Sequence, residues 1–515
     1  MKHFRAAIVW VVVSISLAVS AHAQFNANFQ TNIISGTASN WAGFAYYVVG
    51  SNTFLDALII ENGGVLSNFA GIIGYTAAGS NNTVIVTGSG SIWSNFLGEG
   101  VTVGAFGMGN NLVISNGGAV VCPGGSAVGY NVASSSNNTV TVTGTGSVWA
   151  NNGELDLGGS GKNNRMTISG GGAVHDTTGY LGLGSSNNVV TITDPGSIWS
   201  NGAMVVGESF PGNQMTITNG GAVYSGMLII GNASTLSTNG NVVTVTGAGS
   251  VLNVIPNNLE VGNGTVGNHM TISDGGAVHG PDGFVGFAGK NNVVTVTGTG
   301  SVWSTVNLYI GNSSSSNTLI VGPGGSVVAT NVYINYLVNA AANRINIEGG
   351  SLISTNVNVG NLTCASAAQL TVDTGELIVT NAAHNAALEV LSGTLTLNGG
   401  TTVVDRLVIT NACARFVHAG GTLIVGSYVF DTNEFRSTAV APSSNDVLLT
   451  WMMGPGATNA LQAAPGNPSG GFATNAFIDI FVVTNNSAAG TVTNYLDVGA
   501  GTNKPARYYR VRLVP

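Results

Sequence analysis

Residues 140–149 read VTVTGTGSVW, and this stretch decides the fold because it recurs along most of the chain. Its other copies stand at 84–93, 190–199, 243–252 and 294–303, one of them with leucine in place of the last tryptophan. A second form, LVISNGGAV at 112–120, alternates with it and recurs at 166–174, 215–223, 270–278 and 319–327. Superposed on their first residues, the two forms are one motif, so the chain is built from repeats of roughly 24 to 28 residues in two flavours.

Each repeat contains three short runs with the period-two pattern of a half-buried strand. In the quoted copy these runs are 140–143, 148–149 and 155–157, separated by a Gly-rich turn and a loop. Helix caps and 3.6-residue periodicity are absent from the pattern. Stacked coils pair each strand with its copy one repeat away and bury a continuous core. The sequence therefore predicts an all-β fold, a right-handed parallel β-helix of about 15 coils and on the order of 70 Å in length.

Two residue columns support this stacking. Asparagine stands two residues before each motif at Asn82, Asn110, Asn138, Asn164, Asn188, Asn213, Asn241, Asn268, Asn292, Asn317 and Asn343. Stacked asparagines tolerate left-handed turns and can hydrogen-bond as a ladder along the axis. Glycine recurs six residues into each motif at Gly64, Gly90, Gly118, Gly146, Gly172, Gly196, Gly221, Gly249, Gly276, Gly300 and Gly325. This column predicts a turn that needs a positive φ or a close approach of two backbones.

Composition divides the chain into five segments. We expect a signal peptide at 1–23, an N-terminal cap at 24–54, β-helix repeats at 55–436, a linker at 437–445 and a small β-sandwich at 446–515. The signal peptide is indicated by Lys2 and Arg5, a short apolar run and an A-x-A site ending at Ala23. No later apolar run is long enough to span a bilayer, so no transmembrane segment is expected in the mature chain.

The charge balance excludes one class of partner. The whole chain has 13 basic and 21 acidic residues, and removing Lys2 and Arg5 leaves a net charge of 11 − 21 = −10. Without a basic patch, nucleic acid is not an expected partner. Three cysteines form no complete disulfide set, and Cys122, Cys364 and Cys413 are expected to be buried thiols, with a Cys364–Cys413 pair as the alternative.

The alternating repeat resembles the β-strand repeats of bacterial autotransporter passenger domains and related surface proteins. This resemblance covers roughly residues 55–360 and implies a right-handed parallel β-helix, often found in adhesins. In the final 70 or so residues, the spacing of Trp451, the Leu461-Gln462 pair and the terminal YYRV run at 508–511 resembles that of fibronectin-type-III-like modules of exported bacterial proteins. Because this module stands where autotransporters carry a membrane-inserted domain, self-translocation is not expected.

A chemical site is harder to find. Polysaccharide-cleaving enzymes of this fold need clustered carboxylates, whereas Glu154 and Asp156 are expected to be a solvated pair on one strand. His175 and His279 share a column but lie four coils apart, about 19 Å at the strand spacing, which is too far to bind one metal. No catalytic residue, metal site or cofactor is therefore predicted.

One column offers a ligand-binding hypothesis. The residue nine after the motif start is aromatic at Trp93, Trp149, Trp199, Tyr224 and Trp303. With the preceding aliphatic column facing the core, alternation turns these rings outward and predicts an exposed stripe that stacks on sugars. The alternative is that the rings lie flat over a neighbouring loop.

These patterns predict an exported, non-enzymatic surface or matrix protein, an adhesin or structural rod that binds extracellular polysaccharide or another cell-surface polymer. We expect it to be secreted or to lie on the outer cell surface. The alternative is a secreted polysaccharide lyase or glycoside hydrolase with its site on the irregular coils 343–430.

Overall fold

The computed structural model describes residues 27–40, 46–96, 99–238, 240–411, 413–430, 437–453, 457–467, 471–473, 476–486, 491–502 and 506–514. The first 40 strands form one sheet wound into a parallel β-solenoid of about 15 coils, which confirms the predicted fold class. The expected signal peptide, 1–23, lies outside the described residues. No helix within the described ranges has the length and apolar content needed to cross a bilayer.

The regular coils each contain three short strands. In chain order these are β1 (Thr31–Ser35), β2 (Ala38–Asn40), β3 (Tyr46–Val49), β4 (Ala57–Glu61), β5 (Val65–Asn68), β6 (Ala70–Ile73), β7 (Thr83–Thr87), β8 (Ile92–Asn95), β9 (Glu99–Val103), β10 (Asn111–Ser115), β11 (Ala119–Cys122), β12 (Gly125–Val128), β13 (Thr139–Thr143), β14 (Val148–Asn151), β15 (Glu154–Leu157), β16 (Arg165–Ser169), β17 (Ala173–His175), β18 (Thr178–Leu181), β19 (Val189–Thr193), β20 (Ile198–Asn201), β21 (Ala203–Glu208), β22 (Gln214–Thr218), β23 (Ala222–Ser225), β24 (Leu228–Thr238), β25 (Val242–Thr246), β26 (Val251–Val254), β27 (Asn258–Val266) and β28 (His269–Ser273). Successive strands of a coil belong to three faces, which we call the first, second and third face.

In later coils two or all three faces merge into longer strands. These coils comprise β29 (Ala277–Val285), β30 (Val293–Val296), β31 (Ser301–Ile310), β32 (Thr318–Val321), β33 (Gly325–Ile334), β34 (Arg344–Val359), β35 (Gln369–Val379), β36 (Ala387–Val390), β37 (Thr394–Leu397), β38 (Thr401–Ile409), β39 (Arg415–His418) and β40 (Thr422–Phe430). Each strand pairs in parallel with its copies in the adjacent coils, so backbone bonds run along the axis.

The core is one continuous apolar column inside the coils. On the first face, Val140 and Val142 point inward and are at most 1% exposed, while Thr141 between them is half-buried. Fully burying each such aliphatic side chain stabilises the fold by roughly 1.5–3 kcal/mol.

The asparagine ladder forms as expected. The backbone N–H and the side-chain Nδ2 of Asn82 both donate to Oδ1 of Asn110, each at 3.0 Å. The same pair of bonds repeats from coil to coil up to Asn343, which turns to Asn335. The left-handed φ belongs to the residue before each ladder asparagine, such as Asn81 or Asn137. The ladder therefore fixes the coil spacing from the inside of a turn.

The glycine column proves to be two different positions. Gly90 has a φ of 81°, whereas a Cβ on Gly118 would meet the Val86 carbonyl oxygen at 2.4 Å. Gly90 and Gly118 are not equivalent. The neighbour of Gly90 in the preceding coil is Gly63, whose Cα would lie 3.6 Å from a Cβ on Gly90. The turn of the tryptophan-containing form is one residue longer, and our superposition of the two flavours was therefore wrong by one residue beyond this turn.

The N-terminal cap expected at 24–54 is replaced in part by a coil. Strands β1, β2 and β3 pair in register with β4, β5 and β6, so residues 31–40 and 46–49 continue the solenoid. Their first-face residues are more exposed than those of later coils, with Ile33 at 59%.

At the other end, Cys364 and Cys413 form a disulfide with Cα atoms 5.3 Å apart, so the expectation of two buried thiols there was wrong. Cys122 is buried and free, as expected. The proposed linker at 437–445 is also wrong, because most of it forms β41 and pairs antiparallel with β42.

The C-terminal module consists of two three-stranded antiparallel sheets, ordered β41-β42-β45 and β44-β43-β46. Its strands are β41 (Ser437–Ser443), β42 (Asp446–Met453), β43 (Thr458–Pro465), β44 (Ile478–Thr484), β45 (Thr491–Asp497) and β46 (Arg507–Val514), with a 3₁₀ turn at Ala500–Thr502. Trp451 and Leu461 lie in a core shared by both sheets, while Met452 packs against the solenoid core instead.

Candidate functional site

The four tryptophans of the predicted stripe are buried. Trp93, Trp149 and Trp199 are 0% exposed and Trp303 is 1% exposed, so the outward-facing stripe was wrong for all four. In the second-face pairing, Trp93 and Trp149 both lie opposite Val120, a core residue of the other flavour. The extra turn residue shifts the alternation by one and turns the rings inward.

The interior accommodates each ring because the preceding coil is small there. A Cβ on Gly71, Gly179 or Gly283 would lie 2.2, 2.8 or 2.6 Å from Cζ2 of the tryptophan in the next coil. The coil before Trp149 has Ser126 in this column. One coil has Leu252 in place of the tryptophan, and the coil before it has Leu228 in place of the small residue. A large residue therefore occupies the third-face position only where the next coil lacks the tryptophan ring.

Two of the four indole N–H groups donate to polar side chains at the turn between the second and third faces, whereas Nε1 of Trp149 has no hydrogen-bond partner among the described residues. Trp93 Nε1 donates to Asn68 Oδ1 at 2.7 Å, and Trp199 Nε1 donates to Asp176 Oδ2. Asp176 is only 8% exposed, and burial raises its pKa to about 7, with the charge of Asp156 adding to the rise and the indole bond opposing it.

The true outward column of the second face lies one residue after each tryptophan. It runs Ser94, Val121, Ala150, His175, Ser200, Tyr224, Asn253, His279, Ser304 and Val328. Tyr224 is thus the one predicted stripe residue that faces outward, at 44% exposed. His175 and His279 also belong to this column, four coils apart as predicted.

A long groove follows this column at the turn from the second to the third face. Its two segments have volumes of about 700 and 710 Å³ and share Ile255 and Pro256. Tyr224, Ser200 and Asn253 line the first segment, and the lining of the second is more apolar, with Val306 among its exposed residues. The groove therefore runs along the rod axis over several coils.

The first segment contains polar atoms without protein partners. One pair of lining side chains is engaged, since His175 Nδ1 and Ser200 Oγ bond to each other at 2.7 Å. Four atoms of the lining are buried and have no hydrogen-bond partner among the described residues: Asp176 Oδ1, both side-chain amide atoms of Asn201, and Asn253 Oδ1. Such atoms are normally bonded to water or ligand, so this part of the groove can accept an additional polar molecule.

The carboxylates do not form an obvious catalytic pair in the groove, since Asp176 is the one acid among its described lining residues. On the third face, Asp156 is 7% exposed, so the expectation that it is solvated was wrong. Burial, the larger cause, and the charge of Glu154, the smaller, raise its pKa to about 7.

In the irregular coils, Asp405 accepts bonds from the backbone N–H groups of Asn381 and Ala386, and lies 3.5 Å from His384 Nδ1. These bonds, the first above all, lower its pKa and hold the 381–386 loop. Across the described ranges, no three His, Cys, Asp or Glu side chains converge as a metal site requires.

The basic residues near the C-terminus are engaged within the module. Arg507 contacts Asp497 at 2.9 Å, Arg512 pairs with Asp479, and the Arg510 guanidinium lies 4.2 Å from the Phe477 ring centroid. These contacts favour a structural role for the three arginines.

No protein-family model and no curated protein matches the chain. Among solved structures, the chain is similar to a TibC-catalyzed hyper-glycosylated fragment of TibA, with 15% identity, a TM-score of 0.35, and coverage of 69% of this chain and 97% of the fragment. A similarity at this level carries no functional argument, and the groove and its side chains remain the basis for one.

Proposed function

We propose that the protein is an exported, non-enzymatic β-solenoid rod, secreted or held at the outer cell surface, that binds an extended extracellular polysaccharide along the second-face groove. The observation that carries this proposal is the axial groove with Tyr224 exposed beside hydroxyl, amide and imidazole groups. A tyrosine ring offers sugars an apolar face, and the neighbouring polar groups offer hydrogen bonds. The signal-peptide pattern at 1–23 and the Cys364–Cys413 disulfide support export, because disulfides persist in oxidising compartments.

The ligand class follows from the lining. The groove has few ionisable groups, and the carboxyl of Asp176, with a pKa of about 7, is protonated in part of the molecules at neutral pH. We therefore expect a neutral polysaccharide rather than a strongly anionic one. The C-terminal module, whose sequence resembles fibronectin-type-III-like modules, is proposed to attach the rod to the cell surface or to assist export.

The test is retention on a panel of immobilised polysaccharides. Tyr224→Ala should weaken binding to the retained polymer at least tenfold, whereas Tyr130→Ala, which removes an equally exposed tyrosine (44%) from another part of the surface, should leave it unchanged. Retention of no polymer, or equal loss in both variants, would rule out the groove as the binding site.

A second candidate, a polysaccharide lyase or glycoside hydrolase, is favoured by one observation. Asp156 and Asp176 both have a pKa near 7, which suits a general acid at neutral pH. Incubating the protein with the same panel and measuring new reducing or unsaturated ends tests it. Release of ends that is lost in Asp156→Asn or Asp176→Asn would establish this candidate in place of the first.

A further inference from the structure

The outer surface of the first face carries a regular threonine column. Seven consecutive coils place threonine at the middle outward position, in unbroken register: Thr141, Thr167, Thr191, Thr216, Thr244, Thr271 and Thr295. All seven are half-buried. Within the described part of the chain, none of their hydroxyls has a hydrogen-bond partner.

A second hydroxyl column runs beside the first, two residues further along each strand. Its members are Thr143, Ser169, Thr193, Thr218, Thr246, Ser273 and Thr297. Here neighbouring hydroxyls bond to each other in places, as Ser169 Oγ does to Thr143 Oγ1 at 2.9 Å. We call the two columns together the threonine array. The array itself contains only hydroxyl side chains; beside it, Arg165 stands two residues before Thr167, and Asp194 and Asp274 accept hydrogen bonds from Thr193 and Thr246.

Stacking makes the threonine array a two-dimensional lattice. Adjacent strands lie about 4.7–4.9 Å apart, and side chains two residues apart on one strand lie about 6.6–6.8 Å apart. The asparagine ladder stands immediately before these strands, and its repeated bonds, such as Asn213 N–H to Asn241 Oδ1 at 2.9 Å, keep the spacing uniform. Side-chain ladders of this kind stabilise flat, untwisted sheets.

Each unpartnered hydroxyl must bond to water, and evenly spaced hydroxyls hold their waters in an evenly spaced lattice. Both spacings of the threonine array are close to oxygen repeats on the prism faces of hexagonal ice. The methyl groups between the hydroxyls limit the ways in which those waters can be arranged. A sugar chain would instead favour a groove beside an exposed aromatic ring, which Tyr224 provides on the second face.

We propose that the threonine array binds the surface of ice. The array would adsorb to a growing crystal through its ordered waters and slow growth at the covered face. This inference is independent of polysaccharide binding, since it uses a different face and different residues.

The test measures thermal hysteresis and ice-crystal shape with the full chain. Wild-type protein should shape crystals into facets and show hysteresis that increases with concentration. Thr216→Lys combined with Thr244→Lys, at the centre of the array, should reduce hysteresis at least tenfold. The matched control, Thr178→Lys with Ala203→Lys, places the same two charges on adjacent coils of the third face and should keep wild-type hysteresis.

Folding of all variants is checked by circular dichroism, and Thr216→Tyr serves where the lysine pair does not fold, because tyrosine suits a strand. Unshaped crystals with the wild-type protein, or full hysteresis in the folded array variants, overturn the proposal. The proposal is also overturned if the array variants lose binding to crystalline chitin or cellulose and keep the wild-type effect on ice.

Discussion

The ring of Trp199 fills the space that a side chain at Gly179 would occupy, since a Cβ there would lie 2.8 Å from Cζ2 of the ring. The two residues belong to adjacent coils and to different faces. The same relation joins Gly71 to Trp93 and Gly283 to Trp303. The solenoid core is therefore packed between coils as well as within them.

This packing predicts that Gly179→Ala destabilises the protein by about 1–3 kcal/mol, the usual cost of overpacking a core. The natural alternative is the Leu228–Leu252 combination in the neighbouring repeat pair. We expect Gly179→Leu with Trp199→Leu to be more stable than Gly179→Leu alone. Urea unfolding followed by circular dichroism measures both, and additive effects of the two substitutions would contradict the contact.

The asparagine ladder predicts a large effect from one buried amide. In Asn213→Ala the backbone N–H and the Nδ2 of Asn188 lose their shared acceptor, at 3.0 Å each. Leaving buried donors unsatisfied costs about 1–3 kcal/mol each. Asn152→Ala, which changes an exposed asparagine, should shift the unfolding midpoint little. Equal shifts in the two variants would argue against the ladder as a source of stability.

The pKa of Asp176 predicts a pH dependence of stability. Burial raises it from 3.8 to about 7, so between these values the unfolded chain is ionised while the folded chain holds a proton. The folded state binds more protons there, and stability falls as pH rises from about 4 to about 7. Asp176→Asn should remove part of this slope and raise Tm at pH 8. Thermal melts across pH 4–8 that are flat for the wild type would contradict the shift.

The cysteines predict a simple labelling pattern. Cys122 is buried, and Cys364 and Cys413 are bonded to each other. A maleimide should label no thiol in the native protein, one after denaturation and three after denaturation with reductant, as counted by mass spectrometry. Reduction of this bond, which closes a loop between residues 49 apart, should cost about 2–4 kcal/mol. Three labelled thiols without reductant would exclude the disulfide.

Repetition made most of the fold predictable. The alternation around Thr141 and the asparagine spacing each identify the stacking direction and the first face without any structure. The orientation of Trp149 could not be derived from the same superposition, because one extra turn residue reverses inside and outside in a strand of period two. Aligning the flavours on Val120 and Trp149 would have revealed the shift.

The groove was less predictable than the coils. Tyr224 was identified, but as part of a tryptophan column that lies in the core. Asp176 and Asn201 carry no sequence signal, since their importance depends on burial below the groove. The glycines at 71, 179 and 283 were a usable signal, because small residues recur one coil before each of three tryptophans.

The pairing of a small residue with a tryptophan one coil later also bears on how such a gene can change length. Duplication of a tryptophan-containing coil alone would set the second ring against a large side chain, because these coils hold Val101, Leu155, Met204 or Leu308 at the small-residue position. A duplication or deletion of two repeats keeps every ring opposite its glycine or serine. Recombination among these repeats should therefore be tolerated where it keeps a small-residue coil before each tryptophan, which any exchange of whole two-coil units does.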